Sequence, residues 1–391
     1  MIYLDHGATT PVHPEVFDAM MPYFRETFGN PSSLHGFGRI GKAAVEKARE
    51  QAAGLIGAEP DEIVFTSGGT EGDNLAVLGT ALARRASGNH IVTTAVEHHA
   101  VLNPCRYLER IGFTVTVLPV DARGRIDPET VRRALTDRTV LVTVMHGNNE
   151  IGTLEPLAEI GALTRERGVL FHTDAVQTAG KIPLDVGSLP VDLLTLSGHK
   201  IYGPKGVGAL FVRRKTTLAP IFHGGKQEKR TRPGTENVPG IAGLGMACEI
   251  AGRDLLTREL HLSELRYYLA SRIEEEIEDT RRNGSDVESL PHILNVSFRN
   301  IEAEKIVLEM DKRGIALSAG SACTAGTVAV SHVLEALGIP REWAAGSVRF
   351  SLGRGNSLED MDVTVEALKE VTSKLRGIAE RERSLGRRGC I

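Results

Sequence analysis

Thr139-Val140-Leu141-Val142-Thr143-Val144-Met145 is apolar or β-branched at every position. A strand with one wet face alternates apolar and polar residues, and this run does not. Both of its faces are therefore buried, as in a mostly parallel sheet covered by helices on either side. The same texture recurs before it at Glu62–Thr66, His90–Ala95 and Thr114–Leu118. It recurs after it at Val169–Thr173, Asp192–Leu196 and Gly208–Val212. Helical patterns such as Ile160–Arg167 lie between these runs, where crossovers between parallel strands must lie. The expected fold class is α/β, with a seven-stranded, mostly parallel sheet flanked by helices.

Beyond Ala242 the pattern changes. A helix is expected from Thr257 to Thr280, with Leu262, Leu265, Leu269, Ile273 and Ile277 on one face. Short strands at Leu294–Phe298 and Gly346–Leu352 and a final helix at Leu358–Glu380 suit a smaller α+β domain. The expected division is 14–255 for the large domain, with 1–13 and 256–391 forming the small one. A chain of 391 residues is long for one core and suits two. Its 41% hydrophobic and 25% charged composition excludes a disordered class. A net charge of -4 gives no electrostatic case for nucleic acid as a partner. Cys105, Cys248, Cys323 and Cys390 are far apart, without C-x-x-C spacing, so neither a zinc nor a disulfide framework is supported. The start, Met1-Ile2-Tyr3-Leu4-Asp5-His6, has neither a basic nor an apolar leader segment. No apolar run approaches the ~18 residues of a membrane span. A reducing cytoplasmic location is the expectation, and Arg381–Arg388 reads as a solvated tail.

Chemistry enters at Ser197-Gly198-His199-Lys200, which closes the strand ending at Leu196. A lysine there is ordinarily a surface residue. It is also an amine at the carboxyl end of a strand, where open α/β sheets bind ligands. A lysine of lowered pKa condenses with aldehydes. Pyridoxal phosphate is the commonest aldehyde cofactor, and it makes further demands. It needs an acid at its ring nitrogen; Asp174 ends another strand, although a helix N-cap is its ordinary reading. Gln177 follows within reach of the ring hydroxyl. The phosphate needs backbone N–H groups, and Ser67-Gly68-Gly69-Thr70-Glu71-Gly72 is a glycine turn between a strand and a helix. A ring-face partner is offered by His98, and amides by Met145–Glu150. Arg349, in a short strand, is either an ion pair or a clamp for a substrate carboxylate. Each feature alone is ordinary; together they meet the needs of one cofactor at one sheet edge.

One feature lies apart. Ser318-Ala319-Gly320-Ser321-Ala322-Cys323-Thr324-Ala325-Gly326-Thr327 has no side chain large enough to bury its cysteine. A mobile loop over about 318–332, delivering an accessible thiol, is the expectation.

The chain resembles the cysteine desulfurases of the class V aminotransferase family, in their NifS/IscS-type group. The likeness spans almost the whole length. It is carried by Tyr3–Pro11, Phe28–Ser33, Phe65–Glu71, Asn148–Gly152, Ser197–Gly206, Arg232–Asn237, Gly320–Thr324 and Arg349–Arg354. The resemblance implies a fold type I homodimer with pyridoxal 5'-phosphate on Lys200. It implies Asp174 at the ring nitrogen, Gln177 at the ring hydroxyl and His98 on the ring face. Gly69, Thr70, Ser197 and His199 would hold the phosphate, and Thr235 would reach that of the neighbouring subunit. Asn149 and Arg349 would bind the carboxylate of L-cysteine. Lys200 would move the proton at Cα, and Cys323 would take the sulfur as a persulfide, leaving alanine. An iron–sulfur scaffold protein or another acceptor would receive it, with Cys323 a candidate iron–sulfur ligand during transfer and no other metal expected. Neither membrane nor direct nucleic acid is an expected partner.

The chain departs from the family pattern at Ala319, Ala325 and Ala329-Val330, and at His6-Gly7 near the start. The rival readings are selenocysteine lyase, another class V pyridoxal phosphate activity, and a non-catalytic scaffold subunit. Loss of Lys200 or Cys323 would mark the last, and both are present.

Overall fold

The seven runs form one sheet. Its strands are β1 (Ile63–Thr66), β2 (His90–Thr94), β3 (Thr114–Leu118), β4 (Thr139–Thr143), β5 (Leu170–Asp174), β6 (Leu193–Ser197) and β7 (Gly208–Val212). Their order is β1-β7-β6-β5-β4-β2-β3. Only β7 runs antiparallel to its neighbours, β1 and β6; the other pairs are parallel. The computed structural model describes residues 1–319 and 330–386, with side chains as far as Ile378. The cysteine-bearing segment with Cys323, and also Cys390, lie outside the described residues.

Successive residues of the central strands serve different cores. Val92, Val142 and Phe171 join a cluster with Ala48, Ile56 and Leu244 of the helices Gly36–Ile56 and Val238–Arg253. Their neighbours Ile91, Leu141 and Leu170 join Val77, Val101 and Leu108 of the helices Gly69–Ala83 and His99–Arg110. This is why the sequence of these strands shows no alternation. The edge strand β3 is different. Its Thr114 and Val117 are exposed, so burial on both faces fails there because no strand lies beyond it.

A second sheet has four antiparallel strands, in the order Ser318–Ala319, Ser347–Ser351, Ile293–Phe298 and Thr280–Asn283. Leu265, Leu269 and Ile273 of the helix Leu255–Glu276 cover it, together with Met361 and Val365 of the helix Leu358–Gly386. The helix expected to reach Thr280 stops at Glu276. The backbone turns at Asp279 (φ 50°), and Thr280–Asn283 pairs with Asn295–Phe298 instead. The first residues join this unit: Ile2 and Tyr3 pair with Ile315 and Ala316, and Asp5 bridges to Ser351.

One glycine fixes where the two halves of the sheet meet. A Cβ on Gly208 would stand 2.6 Å from the Leu196 carbonyl oxygen and 2.8 Å from Gly68 Cα. Only glycine lets β7 lie this close to the turn after β1. That turn and the ends of β2, β4, β5 and β6 therefore open on the same edge.

Candidate active site

A cavity of about 350 Å³ lies at that edge, closed on one side by the small sheet. Gly69, Thr70, His98, Asn149, Asp174, Gln177, Ser197, His199, Lys200 and Arg349 all line it. Ten of the expected site residues thus meet in one place. Thr235 is exposed and is not among the lining residues. A larger cleft of about 900 Å³, lined by Arg39, Lys42 and Glu236, lies elsewhere and contains none of these groups.

Lys200 ends a short 3-10 turn after β6. Its Nζ donates to the carbonyls of Gly7 (2.6 Å) and Ala8 (2.7 Å). Burial, helped by the nearby Arg349 charge, pushes its pKa down to about 8. A fraction of the amine is therefore unprotonated near neutrality.

Asp174 is the last residue of β5 and is buried. One carboxylate oxygen accepts from Val176 N–H at 2.9 Å, which holds the turn that carries Gln177. Burial raises its pKa, against the pull of Val176, His98 and Lys200. His98 caps the helix His99–Arg110, accepting from Ala100 N–H through Nδ1 at 3.1 Å. Desolvation of the ring lowers its pKa, which favours the neutral imidazole. The cap explains how a residue next to His99 is turned into the cavity.

The helix Gly69–Ala83 starts at the cavity, presenting the N–H groups and positive dipole end of its first turn. A Cβ on Gly69 would stand 2.8 Å from Val176 Cγ2, so a side chain at this position would press on Val176. Ser197 Oγ is buried nearby and has no partner among the described residues. His199, lowered to about 4 by burial, meets Thr9 Oγ1 at 3.2 Å.

Arg349 reaches across from the small sheet. Its two terminal nitrogens donate to Asn149 O (2.9 Å) and Asp5 Oδ1 (2.7 Å), while its Nε is buried without a partner among the described residues. Asn149 is held by this bond at its backbone, leaving its side chain outside it.

Asp73, His172 and Glu97 were not legible as site residues. Asp73 lines the cavity, and its ligand atom, with those of His98 and Asp174, lies within a set spanning 4.8 Å. Burial, reinforced by Asp174, raises its pKa well above the carboxylate range. His172 stands 3.6 Å from it and bridges Thr143 and Thr195 across the sheet. Glu97 accepts from Thr94 Oγ1 (2.7 Å) and Met145 N–H (3.0 Å), tying the ends of β2 and β4 together. The one sequence signal was Asp73 itself, an acid one turn into a helix that opens on a glycine turn.

The altered start is also accounted for. His6 packs edge-on to Tyr3, at 4.8 Å between centroids, in room that only Gly353 leaves. Gly7 donates to Ser351 Oγ at 2.7 Å and offers its carbonyl to both Lys200 and Gln177.

The family model described as Aminotransferase class-V matches residues 2–363. The chain belongs to the class-V aminotransferase family. Within it, the chain is 49% identical over 378 residues to a protein of Dictyoglomus turgidum named Cysteine desulfurase IscS, covering 97% of this chain and 96% of that one. Its fold matches a solved NifS-like protein with a TM-score of 0.90 at 38% identity, covering 96% and 100% of the two chains. It also matches SspA in complex with cysteine, with a TM-score of 0.81 at 38% identity, covering 90% and 99%. The seven-stranded, mostly parallel sheet and the smaller second sheet of this chain agree with the fold class expected from its sequence.

Proposed function

We propose that the chain is a pyridoxal phosphate-dependent cysteine desulfurase, converting L-cysteine to L-alanine and moving the sulfur to Cys323. The observation that carries this is the meeting of Lys200, Asp174, Gln177, His98, Ser197 and a helix N-terminus in one cavity. The donor set fits the cofactor. Ser197 Oγ is an orphaned buried hydroxyl beside a glycine-lined helix start, which suits a phosphate. Asp174 is a buried carboxyl at the far side, which suits a protonated ring nitrogen. The names of the relatives, cysteine desulfurase and a cysteine complex, support the substrate.

When bound, the cofactor supplies an aldehyde carbon for amines and an electron-withdrawing ring that stabilises negative charge on the substrate's Cα. The chain's residues do the rest. With the cofactor bound, Asp174 would keep the ring nitrogen protonated and His98 would cover the ring face. Arg349 and Asn149 would hold the substrate carboxylate, Arg349 offering its Nε, which has no partner among the described residues. Lys200 would carry the Cα proton. The thiolate of Cys323 forms a bond to the substrate sulfur as the carbon–sulfur bond breaks. The bonding pair stays with the carbon skeleton, which gains a proton and leaves as alanine. The ends of the described chain on either side of Cys323 support this delivery. Ser318 pairs with Arg349, and Ser331 Oγ donates to Glu150, next to Asn149, at 2.5 Å.

We further read residues 14–255 as the cofactor domain, and 1–13 with 256–391 as the small domain. The protein is read as a homodimer, in which Thr235 reaches the partner's cofactor phosphate. Its exposure outside its own cavity, and the exposed Phe24, Phe28, Leu34 and Phe37, support that. The free, buried thiols of Cys105 and Cys248 suit a reducing cytoplasm. No helix among the described residues is long and apolar enough to cross a membrane. An iron–sulfur scaffold protein is the proposed acceptor class. The test is alanine and sulfide formation from L-cysteine by the purified, yellow protein. A protein that binds the cofactor and forms no alanine contradicts the reading.

A further inference from the structure

Gln177 belongs to a buried polar chain that leads away from the cavity. Its Nε2 donates to Gly7 O at 3.0 Å, and its Oε1 lies 3.4 Å from Nε2 of His292. An amide oxygen only accepts, so His292 donates and its proton sits on Nε2. Its Nδ1 is then a lone pair, buried and without a partner among the described residues. His292 is 0% exposed, just ahead of the strand Ile293–Phe298.

We propose that His292 is a positioning residue for the cofactor site: its Nε2 proton, given to Gln177 Oε1, keeps the Gln177 amide turned so that its NH₂ group faces the cavity. That group has two protons. One goes to Gly7 O, and the second is left for an acceptor in the cavity, which would be the ring hydroxyl oxygen of pyridoxal phosphate. A flipped amide would set oxygen against oxygen there and would lose the Gly7 and His292 bonds as well. The inference rests on the proposed cofactor reading and adds a residue that is not among those lining the cavity.

The experiment is a double-variant cycle on the pyridoxal phosphate dissociation constant, by equilibrium dialysis, with the visible spectrum of each holoprotein recorded beside it. Gln177→Leu and His292→Leu should each weaken binding by about tenfold and shift the visible band. The double variant should be no weaker than Gln177→Leu alone. His292→Gln, which keeps a donor, should recover most of the affinity. Additive losses, or an unchanged constant in His292→Leu, would overturn the proposal. Wild-type protein that fails to bind pyridoxal phosphate overturns the cofactor reading itself, an outcome distinct from additivity. If His292→Leu does not fold by circular dichroism, ring nitrogen NMR of the wild-type chain decides. A neutral His292 ring protonated at Nε2 is expected, and protonation at Nδ1 contradicts the assignment.

Discussion

Lys200 shares a lowered pKa with the buried Lys181, but Lys200 is the lysine that lines the cavity. Two backbone carbonyls hold its head, and burial together with Arg349 lowers its pKa to about 8. Reductive trapping of pyridoxal phosphate on the cofactor-free chain should therefore rise through pH ~8, and Lys200→Ala should abolish both trapping and the visible band. A trapping midpoint near that of an ordinary lysine, ~10.4, would contradict the geometry. The linkage has a definite sign. The folded value lies below the unfolded one, so the native chain has released a proton that the unfolded chain still binds between about 8 and 10.5. Folding is favoured as pH rises through that window. Lys200→Met should flatten this slope in urea titrations of the cofactor-free protein. Arg349 carries a second prediction. Arg349→Lys loses the planar fork and should raise KM for L-cysteine by about tenfold or more, with the visible band unchanged. Lys200 and Asp174 were legible in the sequence because each ends an apolar strand. His172 and Glu97 were not, since their polar partners arrive from other strands and only the assembled sheet shows them.

The strands are the elements the sequence declares most clearly. Central strands bury both faces, and their composition says so; the edge strand β3 has the same composition as β4, but only Leu118 of its residues is fully buried. A sequence window cannot distinguish them, because neighbours in a sheet are set by topology. The helix Leu255–Glu276 was overrun for a related reason. Thr280–Asn283 is polar and short, and becomes a strand through pairing with Ile293–Phe298. The element account gives a stability prediction at β5. Phe171 is 0% exposed and packs in the main cluster. Phe171→Ala should cost about 3–5 kcal/mol in urea unfolding. A loss below ~1 kcal/mol would show that this face of the sheet is not the packed core described.

The whole molecule brings two sheets together around one cavity. The large sheet presents Lys200, Asp174 and the helix start at its carboxyl edge, while the small sheet lends Arg349. Residues Ile2–Asp5 link them, since Asp5 bridges to Ser351 and also meets Arg349. Assembly is the scale at which sequence said least directly, and Thr235 is its marker. Sedimentation should give twice the 42.2 kDa chain mass, and a monomer that retains full cofactor affinity would remove the proposed role of Thr235. The central claim concerns sulfur on Cys323, and mass spectrometry of the Cys323 peptide tests it most directly. After brief reaction of the holoprotein with L-cysteine, one added sulfur on Cys323 is predicted, with alanine formed alongside. Cys323→Ser should keep the visible band and form no alanine. Alanine formed at the wild-type rate by Cys323→Ser, or added sulfur found only on another cysteine, would contradict the account.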